Sequence, residues 1–212
     1  MTLIVHHLRL SQSERIVWLC EELGIDYVLK VYDRSPPMQM APPEYKALHP
    51  LGTAPVITDG AVVLAETGAI VDYIVMKHGG GRLTLPPDDP AFADWLFWLH
   101  VANGTFVASE MVVLIVQSIG MDGGMANALG ERSANVLALA EERLGAATWF
   151  AGDAFTTADI MMVFPLTTMR MFTQRDLAPY PNILAYLARI GARPAYRRAM
   201  AAGDPELTPM LG

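Results

Sequence analysis

The stretch LIVHHLRLSQSERIVWLCEELGIDYVLKVY, residues 3–32, decides the fold class. It opens with a short apolar run suited to a buried strand, residues 3–8, and a segment with helical periodicity follows from Ser11. Gly24 ends that helix, and residues 27–32 have the composition of a second strand. Because a crossover from one strand through a helix to the next is right-handed and makes the strands parallel, the stretch predicts a βαβ unit.

The residues after this unit predict a hairpin and a third helix. A proline-rich loop and a short helix at residues 44–48 precede two short runs, 54–58 and 61–65, which Asp59-Gly60 separates. Because this dipeptide between apolar runs favours a two-residue hairpin, the two strands are expected to be antiparallel. A helix then begins at Glu66-Thr67 and ends at a run of three glycines. The order βαβ, connecting helix, ββ, α is that of a thioredoxin-like unit.

The remainder of the chain predicts a second, all-helical domain. Residues 80–89 are rich in Gly, Pro and Asp, as linkers are, and no strand-like alternation follows them. The fold class is therefore α/β followed by all-α, with a thioredoxin-like domain at 1–79, a linker at 80–89 and a helical domain at 90–212. The helices expected in that last domain are 90–118, 124–147, 157–174, 181–192 and 194–202.

The composition is apolar for a soluble protein, with 52% hydrophobic residues and a mean hydropathy of +0.29. The best candidate for a membrane span, residues 95–119, contains His100, Asn103 and Glu110, and a central carboxylate costs about 2.5 to 3.5 kcal/mol in a bilayer. We therefore expect a long helix buried in protein and no membrane partner. The N-terminus lacks the basic start and the cleavage site of a signal peptide, which favours a cytoplasmic protein.

Charge and cysteine content exclude further classes. The formal net charge of −7 disfavours nucleic-acid binding, because neutralising phosphates needs clustered Lys and Arg. The single cysteine, Cys20, rules out an intramolecular disulfide, and its position on the apolar face of a helix favours inert packing. The five histidines show no spacing typical of metal ligands, so we expect no metal site.

Ser11 stands where the first strand meets the first helix. The positive end of the helix dipole favours an anion beside its hydroxyl, which makes Ser11 a candidate catalytic residue. The spacing from Ser11 to Glu14 also fits a helix-capping box, and this alternative is open. Ser13 is a second candidate for either role.

Two dipeptides offer main-chain or helix-end groups to a ligand. Ala54-Pro55 begins a strand of an antiparallel pair, where a cis bond would leave the N–H and C=O of Ala54 free to pair with an extended peptide. A trans proline opening an edge strand is the alternative. Glu66-Thr67 enters the third helix, where a ligand carboxylate could dock, and a plain N-cap role for Thr67 is the alternative.

Four motifs, taken together and in this order, resemble those of cytosolic glutathione transferases. The resemblance covers nearly the whole chain and is closest to serine-type members of the theta-like or nu-like bacterial and fungal kind. The last motif is assigned a capping role, with Thr156 as N-cap and Asp159 at the third helical position. The motifs are Leu10-Ser11-Gln12-Ser13-Glu14-Arg15, His49-Pro50-Leu51-Gly52-Thr53-Ala54-Pro55, Glu66-Thr67 and Thr156-Thr157-Ala158-Asp159.

The resemblance implies a glutathione transferase that conjugates the glutathione thiolate to apolar electrophiles. Ser11 would face the sulfur, Thr53-Ala54-Pro55 would bind the cysteinyl part of glutathione, and Glu66-Thr67 would hold its γ-glutamyl end. No cofactor is implied beyond glutathione as co-substrate. A non-catalytic binding or regulatory module with this fold and a glutathione-dependent peroxidase are the alternatives.

The resemblance also concerns the second substrate and the quaternary state. The small apolar electrophile would lie against Phe106, Met111 and Phe164, and a homodimer is expected. The lysine or histidine often found in the family near positions 52 and 53 is absent here. The partner of the glycine carboxylate is therefore open among Arg34, Lys46 and His49.

Overall fold

The computed structural model describes residues 2–36 and 40–212. The middle of the predicted proline-rich loop, residues 37–39, lies outside the described part. Contacts between residues divide the chain into two compact units. One comprises Met1–Arg82 with Ala192–Pro209, and the other Leu83–Gly191 with Met210–Gly212.

The first unit contains a four-stranded mixed sheet. Its strands are β1, Leu3–Leu8; β2, Tyr27–Tyr32; β3, Val56–Asp59; and β4, Val62–Ala65. They lie in the order β2-β1-β3-β4, with β1 parallel to β2 and antiparallel to β3. β3 and β4 form the predicted hairpin, but its two-residue connection is Gly60-Ala61 instead of Asp59-Gly60. The connection lies one residue later because Asp59 still pairs with Val62 in the ladder.

Three helices complete the predicted order of this unit. They are α1, Glu14–Leu23; α2, Pro43–Lys46; and α3, Thr67–Lys77. Gly24 ends α1 with a φ of 59°, a conformation that costs glycine little because it has no Cβ. The predicted apolar face of α1 is buried, and the thioredoxin-like order is confirmed. The residues of that face are Ile16, Leu19, Cys20 and Leu23.

The second unit is helical, as predicted. The predicted helix 157–174 is two helices here, because the backbone leaves the helical conformation at Thr167, which has a φ of −126° and a ψ of −99°. The helices are α4, Phe92–Val101; α5, Ala108–Ser118; α6, Gly123–Ala146; α7, Thr157–Leu166; α8, Arg170–Thr173; and α9, Pro181–Ala192.

A π-helical segment, Ala102–Val107, joins α4 and α5 into one continuous helix. By length and composition alone this helix, Phe92–Ser118, could cross a membrane, and 33% of its apolar window is buried inside the protein. Its central carboxylate, Glu110, is buried and accepts hydrogen bonds from Arg175 at 2.8 Å and from the Ser133 hydroxyl. Both partners contact Oε1 and belong to the second unit, whereas the buried Oε2 has no hydrogen-bond partner among the described residues.

The last helix, α10, Pro194–Gly203, packs against α1 in the first unit. The Trp18 and Tyr196 rings meet edge to face at 5.1 Å, and Arg193 forms a bidentate pair with Glu22 at 2.6 and 2.7 Å. The division by sequence counted these residues with the helical domain. These contacts of α10 place Asp204, the residue that follows the helix, beside His7 of β1.

The capping motif predicted at the start of α7 is present. The Thr156 hydroxyl accepts from the Ala158 N–H at 3.3 Å, and Asp159 Oδ2 accepts from the Thr156 N–H at 2.9 Å. Asp159 Oδ1 also accepts from the buried Phe150 N–H at 3.0 Å. Burial raises the pKa of Asp159 to about 6. One buried carboxylate therefore organises both the helix start and the preceding loop.

We predict that Asp159→Ala lowers the free energy of unfolding by about 2 to 4 kcal/mol, because it removes a helix cap and leaves a buried N–H unpaired. Guanidinium chloride unfolding followed by tryptophan fluorescence measures the change. Asp153→Ala removes an exposed carboxylate from the preceding loop and is the matched control, with an expected effect below about 0.5 kcal/mol. Equal effects of the two substitutions would contradict the capping role.

Asp59 closes β3 and ties it to the end of α3. Its Oδ2 accepts hydrogen bonds from His78 Nε2 at 2.8 Å and from the Tyr73 hydroxyl at 3.0 Å, and the Lys77 ammonium lies 3.0 Å away. Hydrogen bonds from these three donors, of which Lys77 has the largest effect, lower the pKa of Asp59 to about 2 although the carboxylate is buried.

This pKa lies below that of an unfolded aspartate, so the charged form stabilises the fold above about pH 4 and the contribution is lost toward about pH 2. We predict that the difference in free energy of unfolding between the wild type and Asp59→Asn is largest near pH 5 and shrinks as the pH falls to about 2. Urea unfolding at several pH values measures it. Asp88→Asn, at an exposed carboxylate, should differ little from the wild type throughout. A difference for Asp59→Asn that does not change with pH argues against the pairing.

Candidate functional site

Strand β3 is paired on both sides, and this gathers three chain segments at one edge of the sheet. Val56, its first residue, lies opposite His6 of β1 and opposite Ala65 of β4. Since both pairings are antiparallel, the loop after β1, the residues before β3 and the residues after β4 meet at this edge. Those segments contain the predicted site positions Ser11, Thr53-Ala54-Pro55 and Glu66-Thr67.

Leu10 has an unusual backbone conformation in the loop after β1. Its φ is 54°, a left-handed conformation that leucine rarely adopts. Its N–H donates to Asp204 Oδ1 at 3.1 Å, and its carbonyl accepts from Arg34 Nη2 at 2.7 Å. A strained backbone persists only where its surroundings fix it. Asp204 and Arg34 therefore hold the position from which Ser11 follows.

Ser11 lies three residues before the first residue of α1 and is 6% exposed. Its Oγ accepts from the Ser13 N–H at 3.2 Å and lies 2.8 Å from Ser13 Oγ. The capping-box interpretation of Ser11 is wrong, because the N-cap of α1 is Ser13 and the Ser11 hydroxyl instead closes the turn that precedes the helix. The helix begins later than the Ser11–Glu14 spacing suggested.

Ser13, the second serine candidate, is fully buried behind Ser11. Its Oγ accepts from the Leu8 N–H at 3.1 Å and lies 2.9 Å from His7 Nδ1. On the far side of the ring, His7 Nε2 lies 2.9 Å from Asp204 Oδ2. Neither His7 nor Asp204 was predicted as a site residue, and the two are 197 positions apart. The signal for His7 was a histidine inside an apolar strand, whereas Asp204 follows α10 without any local motif.

The Ala54–Pro55 peptide bond is cis, as predicted. Pro55 is buried, Ala54 is half-buried and the Thr53 side chain is exposed. Within the described residues, neither the N–H nor the C=O of Ala54 has a hydrogen-bond partner. One main-chain donor and one acceptor are therefore available at this edge to an extended peptide.

Glu66, like Leu10, has a positive φ and directly precedes a predicted site residue. It is the N-cap of α3, with a φ of 72° and a ψ of 118°, and its side chain is exposed. Thr67 follows as the first helical residue and is buried. The first N–H groups of a helix have no partner within it, so this end of α3 can receive a carboxylate.

Arg15 brings a positive charge to the same place, and sequence analysis assigned it no role. It is fully buried on α1, and its Nη2 donates to Thr67 Oγ1 at 3.3 Å and to the Gln12 side-chain oxygen. Burial lowers its pKa to about 9, while Glu14 and Glu66 oppose the shift. Arg15 therefore stays charged at pH 7 and strengthens the positive potential at the start of α3.

The residues predicted to contact the second substrate all lie in the second unit. Phe106 and Phe164 are buried, and Phe164 packs with Val107 and Met169. Met111 is 45% exposed. The pocket stays a prediction, and Met111 has the most exposed side chain of the three.

Both parts of the chain match models of one family. Residues 11–75 match the glutathione S-transferase N-terminal domain, and residues 110–194 match the C-terminal domain. Glutathione S-transferase 3 of Schizosaccharomyces pombe is 32% identical, with 93% of this chain and 86% of that protein covered. Glutathione S-transferase 3 of Zea mays is 31% identical, with 89% and 88% covered.

Solved structures are similar over the same extent. A glutathione S-transferase from Actinobacillus pleuropneumoniae has a TM-score of 0.88 and 35% identity, with 96% of this chain and 93% of that one covered. A theta class glutathione S-transferase from Xanthomonas axonopodis pv. citri with glutathione bound has a TM-score of 0.72 and 25% identity, with 93% and 96% covered. A relationship that runs through nearly the whole sequence, on a fold whose sheet edge gathers three of the four predicted motifs, shows that the chain belongs to the glutathione S-transferase family.

Proposed function

We propose that this protein is a serine-type transferase that conjugates glutathione to apolar electrophiles, with the Ser11 hydroxyl stabilising the glutathione thiolate. The proposal rests on one observation, namely the set of polar groups at one edge of the sheet. It has a hydroxyl before the start of α1, a main-chain donor and acceptor at Ala54 that no described residue pairs with, and the start of α3 at Thr67. These groups match the sulfur, the cysteinyl backbone and the γ-glutamyl end of one tripeptide.

The thiolate stabilisation that Ser11 has to provide is moderate in size. A thiol with a pKa near 8.5 is only a few per cent ionised at pH 7, and lowering that pKa by about 2 units needs roughly 2.7 kcal/mol. A hydrogen bond to a charged group contributes about 1.5 to 3 kcal/mol, and a helix N-terminus about 0.3 to 1 kcal/mol. The thiolate then forms a carbon–sulfur bond with the electrophile, and a leaving group, where present, departs with the electron pair.

The γ-glutamyl end carries both a carboxylate and an ammonium group. We assign the carboxylate to the N-terminus of α3 and the Thr67 hydroxyl, which Arg15 backs with its charge. The exposed Glu66 carboxylate suits the ammonium group. Thr53-Ala54-Pro55 would flank the cysteinyl residue between these two ends.

The partner of the glycine carboxylate is open among Arg34, Lys46 and His49. Arg34 donates to the carbonyls of Arg9 and Leu10 at 2.8 and 2.7 Å, which commits its guanidinium to the loop. Lys46 is exposed on α2, and its side chain lies beside Gly52, two residues before Ala54. Lys46 is therefore the candidate we favour.

The second substrate and the assembly follow the same proposal. We infer that the electrophile is small and apolar and contacts Met111, with Phe106 and Phe164 behind it. Phe97 and Ile115 expose apolar surface on the long helix, which supports a homodimer that buries it. We propose a soluble, cytoplasmic enzyme that uses glutathione as co-substrate and no other cofactor.

We predict that Ser11→Ala lowers kcat/KM for conjugation of an aryl halide by about 30- to 100-fold at pH 7 and moves the midpoint of its pH profile upward, because the thiolate loses its donor. Steady-state rates across a range of pH measure both effects. Ser118→Ala, at an exposed hydroxyl of α5, is the control and should match the wild type. Full activity with an unchanged pH profile in Ser11→Ala would refute the role of Ser11.

We predict that Thr67→Val raises KM for glutathione about tenfold with little change in kcat, since it removes one hydrogen bond of uniform binding. Kinetics and calorimetric titration with glutathione measure the loss. Thr208→Val, at an exposed threonine near the C-terminus, should leave both unchanged. If the wild type does not bind glutathione at millimolar concentration, the non-catalytic module is the better account.

A further inference from the structure

We propose that the proton of the bound glutathione thiol is carried through Ser11 and Ser13 to His7, and that Asp204 holds the resulting imidazolium. This inference rests on the proposed function and adds to it the destination of the proton. The proposal makes Ser13, His7 and Asp204 parts of the activation machinery of this site.

The four side chains form a continuous row of close polar contacts. Ser11 Oγ lies 2.8 Å from Ser13 Oγ, which lies 2.9 Å from His7 Nδ1. His7 Nε2 lies 2.9 Å from Asp204 Oδ2. All three distances are in the hydrogen-bond range, and all four side chains are buried. The row leads from the Ser11 hydroxyl, at the sheet edge, into the interior of the unit.

The partners of Asp204 fix the direction of the hydrogen bonds. Its Oδ1 accepts from the Leu10 N–H at 3.1 Å, so Oδ2 faces the imidazole. A carboxylate only accepts, which places the proton of neutral His7 on Nε2 and leaves a lone pair on Nδ1. Ser13 then donates to Nδ1. The Leu8 carbonyl is the other acceptor in its reach, at the longer distance of 3.2 Å.

The remaining bonds complete the row toward the ligand. Ser13 Oγ accepts from the Leu8 N–H at 3.1 Å, which leaves one lone pair for the Ser11 hydroxyl proton. Ser11 Oγ accepts from the Ser13 N–H at 3.2 Å, which leaves one lone pair on Ser11. In this resting arrangement Ser11 points its proton inward and offers a lone pair outward. It is therefore set to accept a proton from a thiol.

The transfer moves three protons by one place each. The S–H bond of glutathione breaks and its proton goes to Ser11 Oγ, the Ser11 proton goes to Ser13 Oγ, and the Ser13 proton goes to His7 Nδ1. The products are a thiolate and an imidazolium, and the total charge is unchanged. Each hydroxyl now donates in the opposite direction, so Ser11 donates to the thiolate that it has just helped to form.

The surroundings suit a buried imidazolium. A buried charge needs a paired partner, and Asp204 supplies it at 2.9 Å. Two nearby cations oppose a positive charge on His7, but both have anionic partners. Arg34 interacts electrostatically with Asp204, and Arg9, which donates to the Gly203 carbonyl at 2.7 Å, pairs with Asp33 at 2.8 Å. A Cβ at Gly203 would lie 3.0 Å from His7 Nε2, so a glycine there lets the end of α10 approach the ring.

The proton inventory of the wild-type protein tests the proposal. Thiolate formation on binding glutathione is followed by its ultraviolet absorbance, and proton release by an indicator dye in weakly buffered solution near pH 7. S-methylglutathione, which has no thiol proton, gives the protons released by the rest of the ligand and is subtracted. We expect thiolate to form with less than about 0.2 proton released per thiolate.

Release of one proton per thiolate would overturn the relay and leave the proposed function intact, because the proton would then reach the solvent. Failure of glutathione to bind, or to form a thiolate in the wild type, would overturn both. The two proposals therefore fail in distinguishable ways.

Asp204→Asn gives a second test through the histidine tautomer. With Oδ1 still held by the Leu10 N–H, the amide nitrogen faces His7 and forces the ring proton onto Nδ1, where it blocks acceptance from Ser13. We expect kcat to fall about 10- to 100-fold, KM for glutathione to stay within about twofold and the pH profile to move upward. Glu206→Gln removes an exposed carboxylate two positions away and should leave all three unchanged. An unchanged pH profile and kcat in Asp204→Asn would overturn the relay.

Discussion

The double pairing of β3 is the constraint on which the rest of the site depends. Val56 is bonded to β1 on one side and to β4 on the other, so three loops that are far apart in sequence end at one sheet edge. Each loop brings a different group: a hydroxyl, the main-chain donor and acceptor of Ala54, and a helix start. Each of these groups alone would bind a ligand only weakly. Together they offer the donors and acceptors that an extended tripeptide can use.

Two strained residues give this edge its fixed geometry. Leu10 and Glu66 have positive φ, and each directly precedes a proposed ligand-binding side chain. Strain of this kind costs about 1 to 3 kcal/mol per residue and has to be balanced by contacts elsewhere. Asp204 and Arg34 supply them for Leu10. The same Asp204 faces His7, so the segment after α10 supports both the backbone and the proposed proton path.

The sequence was sufficient for most of the elements but not for the break after α7 or for the contacts between distant elements. Periodicity and turn residues predicted β1, α1 and the hairpin, because those signals are local. The spacing from Ser11 to Glu14 wrongly predicted a capping box at Ser11. The same spacing occurs when the helix begins a few residues later. His7, Arg15 and Asp204 could not be assigned from local pattern, because their roles depend on partners in other elements.

The most direct measurement of the central claim is a crystal structure of the wild-type protein with glutathione bound. The account predicts the sulfur within about 3.5 Å of Ser11 Oγ, with the cysteinyl N–H and C=O paired to Ala54 and the γ-glutamyl carboxylate at the start of α3. A tripeptide bound elsewhere, or one at this edge with its sulfur turned away from Ser11, would contradict the account.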